Sequence, residues 1–146
     1  MLTGDPIPEL HHIAHYCKPW SVVDGMPTEH SFKVKAADHP DMSWNWLEYL
    51  SLDRDVAVSI LRREPGAMTP EEDSCYAIAL VGELKDLPAT IPGKNYDAPS
   101  VLHTRMPDND SHASVFSLTY NIGEKVIRLA IADMMTADDI LPGLDP

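Results

Sequence analysis

Residues 75–81 read Cys75-Tyr76-Ala77-Ile78-Ala79-Leu80-Val81, an apolar side chain at almost every position. A strand with one face in water alternates apolar and polar residues; a strand covered on both faces has no need to. The run is far short of the roughly 20 residues that span a bilayer. It therefore predicts a strand at the centre of a sheet, with other elements packed on both of its sides.

The flanking sequence fixes what those elements are. Gly82 follows the strand, and Met68–Asp73 before it is polar and reads as a loop or a single turn. Upstream, Asp53 to Glu64 has the marks of a helix. Asp53 suits an N-cap, Val56, Ile60 and Leu61 recur at helical spacing, and Arg62 and Arg63 lie near the terminal carbonyls, where positive charge is favourable. Pro65-Gly66 stops it. Glu124 to Met135 carries a second apolar stripe, Val126, Ile127, Ala130, Ile131 and Met134.

Strands are predicted on either side. From Leu10 to Tyr16, alternation puts Leu10, His12, Ala14 and Tyr16 on one face and His11, Ile13 and His15 on the other. His30 to Lys35 alternates around Phe32 and Val34, after a turn signal at Asp24-Gly25. Val101 to Met106 is a strand that ends in the turn Pro107-Asp108-Asn109-Asp110, and Ala113 to Tyr120 is a strand or the start of a helix. Ser43 to Leu50 reads as a short helix capped by Ser43 or as an irregular aromatic anchor, and Leu87 to Ser100, with three prolines, as a long surface connection. The fold class is α+β, a mainly antiparallel sheet covered by two helices, about Asp53–Glu64 and Glu124–Met135. Residues 1–146 make one domain, with a loose lead-in over 1–8 and a C-terminal tail over 138–146, partly mobile from Leu141 on.

Composition narrows the function. With 11 Lys+Arg against 23 Asp+Glu, the formal charge is −12, a field that repels phosphate backbones and anionic membranes. Direct nucleic-acid or membrane binding is not expected, and a partner protein with a basic surface is. The start of the chain has neither a basic segment nor an apolar stretch, so no secretory signal is read there. Cys17 and Cys75 are far apart and suit reduced, buried thiols in a cytoplasmic protein.

Two polar clusters invite chemistry. In Glu9–Trp20, ELHHIAHYCKPW, the residues His11, His15 and Cys17 share a strand face, but ligands spaced two apart on a straight strand diverge. There is no HExxH or CxxC, and no metal or other cofactor is expected. The second cluster, His103 to Val115, gathers His103, Arg105, Asp108, Asp110, Ser111, His112 and Ser114 around one turn. Here His112 suits a general base, with Asp108 or Asp110 as the acid that fixes its tautomer. The same residues also suit a purely structural polar hairpin. Trp44, Trp46 and Tyr49 are candidate binding residues, because aromatics supply large contact area at low entropy cost. His12, His103 and His112 would form a site only if the fold brings them together.

Three pieces, DGMPTEHSF (Asp24 to Phe32), MSWNWLEYL (Met42 to Leu50) and DNDSHASV (Asp108 to Val115), resemble a group of small bacterial proteins with DGxPTxxxF, SxxWLE-like and DxSHA-like segments. The resemblance implies a stand-alone bacterial domain, with no activity attached. The reading is a cytoplasmic accessory or regulatory protein that binds another protein, more a non-enzyme than an enzyme. The alternatives are a small hydrolase or transferase centred on His112, and an inhibitor whose acidic surface mimics nucleic acid.

Overall fold

The computed structural model describes residues 4–34 and 41–145. In chain order the strands are β1 (Asp5–Pro6), β2 (His12–Cys17), β3 (Val22–Val23), β4 (Met26–Pro27), β5 (Met42–Trp46), β6 (Cys75–Leu80), β7 (Ser100–His103), β8 (His112–Phe116) and β9 (Ile140–Pro142). Seven of them form one sheet in the order β1-β7-β8-β5-β2-β6-β9, antiparallel at every pairing. β3 and β4 make a separate hairpin. Its turn is Asp24-Gly25, both at positive φ (52° and 77°), the geometry that matches the twist of a two-residue hairpin.

The described residues contain four α-helices, α1 (Leu47–Leu50), α2 (Arg54–Leu61), α3 (Val81–Asp86) and α4 (Lys125–Met134), and not the two that the sequence predicts. α3 has six residues, too few to show a helical period, and α1 is the last part of the short helix offered for Ser43–Leu50, whose earlier residues are strand β5, so that Trp46 and not Ser43 precedes the helix. α3 also begins directly out of β6 with no side-chain cap, so its first residue, Val81, reads as the end of the strand. In α2, by contrast, the Asp53 carboxylate accepts from the backbone N–H of Asp55 (2.9 Å) and Val56 (3.2 Å). The buried face of α2 is Ala57, Val58 and Leu61, while Val56 is exposed.

The two sheet faces carry different cores. One, with Ile13, Cys17, Met42, Trp44, Ala77, Ala79, Ala113 and Val115, packs against α3, α4 and Phe32. The other is apolar only beneath α1 and α2, where Ala14, Tyr76 and Ile78 meet Leu47, Ala57, Val58 and Leu61. β6 is apolar throughout because both cores press on it. It is nevertheless the second strand from the edge, and β5 occupies the centre. The reason is the tail: Ile140–Pro142 pairs with Cys75–Ala77 and forms the true edge. Arg62 holds the tail by donating to the carbonyls of Pro142 (2.6 Å) and Gly143 (3.0 Å) and to the Asp145 carboxylate (2.8 Å). The described part of the tail is thus tied to the sheet through Ile140–Pro142.

Other expectations are corrected locally. Glu29–Phe32 is a 3-10 turn with Phe32 buried, and not the start of a strand; Lys35, the end of that predicted strand, lies outside the described residues. The described part of the lead-in, 4–8, is tied to the sheet as well, since Asp5–Pro6 pairs with β7 and Ile7 is buried. Residues 1–3 of the lead-in and residue 146 of the tail also lie outside the described part. Residues 113–116 belong to a strand, which resolves that choice.

Candidate active site

β2 and β6 stay paired from His12↔Leu80 to Cys17↔Cys75, but β2 and β5 pair only at Ile13↔Trp46 and Ala14↔Asn45. Beyond Ala14 the two strands separate, and the His15 ring fills the opening. Its Nδ1 lies 2.7 Å from the Ser43 carbonyl and its Nε2 2.6 Å from the Ser31 carbonyl, with the ring stacked on Phe32. Burial pushes the His15 pKa down, and the two carbonyls, which favour the protonated ring, oppose that shift.

This opening is part of a cleft of about 700 Å³. Its floor includes side chains that β5 and β8 turn away from the large core. Register pairs Ser43 with Ser114 and Asn45 with His112, so these four residues share a face. Alternation makes that inevitable: Trp44, Ala113 and Val115 must then point into the large core. The loop 106–109 is held close by Gly66, whose N–H donates to the Asp108 carbonyl (2.8 Å). A Cβ at Gly66 would sit 2.5 Å from the Pro107 carbonyl oxygen, so only glycine permits this approach.

The polar side chains are linked in one chain. Ser114 Oγ donates to Asp41 Oδ2 (3.3 Å), because an ionised carboxylate only accepts. The Ser114 proton is then committed, so in its 2.8 Å contact with Thr104 Oγ1 the threonine is the donor. The Thr104 proton is committed in turn, so in the 2.8 Å contact with His112 Nδ1 the ring is the donor. His112 therefore carries its proton on Nδ1 and turns its Nε2 lone pair toward the Ser43 hydroxyl, 3.2 Å away. Asn45 completes the floor, donating to Asn109 Oδ1 (2.6 Å) and Ser111 Oγ (2.8 Å). Buried polar groups cost stability unless they are paired in this way.

His112 is 7% exposed and Ser114 1%, whereas Ser43 is open to the cleft. Burial lowers the His112 pKa; the Asp41 charge acts in the opposite sense and His103 adds to the lowering. A neutral imidazole with a free Nε2 lone pair is the form that a general base requires.

The sequence-predicted residues are only partly brought together. His112 is in the site, but Asp108 and Asp110 are exposed, and no hydrogen bond joins their carboxylates to it. The carboxylate of the chain is Asp41, 71 positions away in sequence. Thr104, Ser43 and Asp41 are the residues that sequence reasoning missed, because only strand register makes them neighbours. His12, His103 and His112 do not share one cleft. His12 pairs with Glu48 (2.7 Å) beside a separate cavity of about 210 Å³. His103 donates from Nε2 to the Asp110 carbonyl, meets Trp46 edge to face and lies tilted against Tyr49.

The three aromatic candidates part in the same way. Trp44 is 1% exposed, stacked on Phe32 in the large core, so it presents no face to a partner. Trp46 and Tyr49 touch each other, with ring centroids 5.6 Å apart. Tyr49 is 38% exposed, with the Arg105 guanidinium 5.6 Å above its ring. His11 accepts from the Trp46 indole N–H (2.9 Å), so its Nδ1 is already engaged. Among the described residues no three His, Cys, Asp or Glu side chains gather as a metal site, and no helix is long and apolar enough to cross a membrane. No protein-family model, curated protein or solved structure matches the chain.

Proposed function

We propose that this protein is a small serine hydrolase or acyl transferase, with Ser43 as nucleophile and His112 as general base. The observation that carries this reading is the one-way run of hydrogen bonds from His112 through Thr104 and Ser114 to Asp41. It leaves the His112 lone pair facing a cleft-exposed serine hydroxyl.

In the proposed reaction the Ser43 oxygen attacks the carbonyl carbon of an ester while its proton passes to His112 Nε2. The same proton leaves with the departing alkoxide, giving an alcohol and an acyl-serine. Water then attacks the acyl carbon as His112 takes one of its protons, and return of that proton to Ser43 releases the acid. An alcohol or amine in place of water makes the same steps a transfer. Asp41 acts on the imidazolium through two hydroxyls, so its support is weaker than that of a directly bonded carboxylate. A depressed histidine pKa keeps the base neutral at physiological pH.

A fluorophosphonate probe tests the reading, since it phosphonylates an activated serine. Ser43 is expected to carry the label in intact-protein and peptide mass spectra. Ser43→Ala is expected to lose it, along with ester hydrolysis by at least about a thousandfold, or roughly 4 kcal/mol of barrier. A wild-type protein that takes up no probe, or takes it up elsewhere, removes the proposal.

A second reading has its own observation. Trp46, Tyr49 and Arg105, residue types that dominate binding hot spots, form one aromatic cluster beside the β1–β7 edge. This supports an accessory role in which the acidic chain binds another protein with a basic surface. Tyr49→Ala with Arg105→Ala would release such a partner in a pulldown from the native host. Unchanged recovery of the partner would count against this surface.

A further inference from the structure

The charges around the cleft run against those of the chain. Overall, acidic residues outnumber basic ones 23 to 11. Among the described residues that line the cleft, Lys18 and Lys33 are cationic and Asp41 is the one carboxylate. Asp41 is already engaged by Ser114 and lies in the field of His112. Neither lysine is ion-paired with a described carboxylate, although Glu9, Glu29, Asp55 and Asp145 elsewhere on the chain each hold a basic partner. Two exposed lysines with no ion-pair partner among the described residues set this rim apart in so acidic a protein.

Two aromatic rings stand with them. Trp20 is 65% exposed, and its ring lies 6.5 Å from that of His30, which is also exposed. The wall supplied by residues 61–76 and 106 is different in kind. There Leu61, Met68, Tyr76 and Met106 line the cleft without a charged group. Methionine side chains adapt their shape to an unbranched apolar ligand. Ser43 and His112 lie in the same cleft as both walls.

Resting on the reading of Ser43 and His112 as a catalytic pair, we propose that the substrate is a small anionic ester. A carboxylate or phosphate on it is held by Lys18 and Lys33 beside Trp20 and His30, and its aliphatic part lies against the exposed Met68 and Met106. The anion gives orientation: it fixes which carbonyl stands over Ser43, and it lets a protein of strong negative charge gather a ligand that its overall field would repel.

The test titrates hexyl phosphate, hexanoate and the neutral hexanamide into the full chain, followed by calorimetry and by the Trp20 indole N–H resonance. At least one anion is expected to bind tenfold or more tightly than hexanamide, and to lose that advantage as salt is raised. A stronger response to hexyl phosphate assigns the site to phosphate-bearing esters, and a stronger response to hexanoate to carboxylate-bearing ones. Lys18→Gln with Lys33→Gln is expected to cut the preference to less than threefold, with hexanamide binding reporting that the cleft is still formed. Equal affinity for all three ligands, or a preference that survives the double substitution, overturns the proposal. Fluorophosphonate labelling in parallel separates the two ideas. A labelled Ser43 without anion preference removes the substrate class alone; an anion preference without a labelled Ser43 removes the catalytic reading alone.

Discussion

The two faces of the central strands β5 and β8 are built from alternate residues of the same two segments, yet they do opposite things. On one face Met42, Trp44, Ala113 and Val115 are dry and packed. On the other, Ser43, Asn45, His112 and Ser114 make a hydrogen-bonded floor under a cleft. A strand's side-chain period of two allows this within five residues, whereas a helix would need a full turn for each contact. The lesson is that stability and the proposed chemistry are separable by face, and substitutions can test that.

The largest effect is expected on the dry face. Trp44→Ala removes a fully buried indole and should cost about 3–5 kcal/mol, measured as a fall in the denaturant midpoint. A loss under about 1 kcal/mol would mean that the face collapses easily and does not carry the stability. On the wet face, Ser114→Ala interrupts the run from Thr104 to Asp41 and leaves the Asp41 carboxylate without that donor. About 1–3 kcal/mol of stability should go. The ester-hydrolysis rate should fall as well, by about ten- to a hundredfold, since Thr104 no longer fixes the imidazole. If the rate were untouched, the relay would be packing and nothing more.

A pH titration sharpens the same comparison. Burial holds both His112 and His15 below the ordinary histidine value of about 6.5. The folded state therefore binds fewer protons than the unfolded chain just below that pH. Stability due to this pair is complete above pH 6.5 and is lost as pH falls through and below it. His112→Asn, which retains an N–H for Thr104 and cannot titrate, should flatten the drop in unfolding midpoint between pH 7 and 5. An unchanged slope would show that His112 is not the group responsible. The smallest effect lies away from both faces. Asp53→Ala removes the cap of α2 and should cost about 1 kcal/mol by the same denaturant assay, with activity unchanged.

How much of this could be read in advance differs from residue to residue. Asp53 announced α2, and the stripe around Ile127 and Ile131 announced α4, because caps and periods are local properties. Alternation likewise divided the histidines of His12–Cys17 between two faces, and the pairings of β2 place them so. α3 was not legible, being shorter than the period that would reveal it, and of the short helix offered for Ser43–Leu50 only Leu47–Leu50 is helical, the residues before it belonging to β5. The site was half legible. His112 could be picked out by its chemistry, but the nearest carboxylates in sequence, Asp108 and Asp110, point to solvent on the turn that returns the chain to β8.

What the sequence determined by itself was therefore the α+β class and the two longer helices, α2 and α4, since these follow from patterns a few residues long. Even CYAIALV, apolar at nearly every position, predicted coverage on two faces and found it beneath α2 on one side and α4's core on the other. It could not reveal its place in the sheet, which the tail decides by pairing with it. Only the tertiary structure set Asp41, Ser43, Thr104, His112 and Ser114 within hydrogen-bonding reach. Pairing register is a long-range property, and a slip of one residue would have turned every one of these side chains to the opposite face.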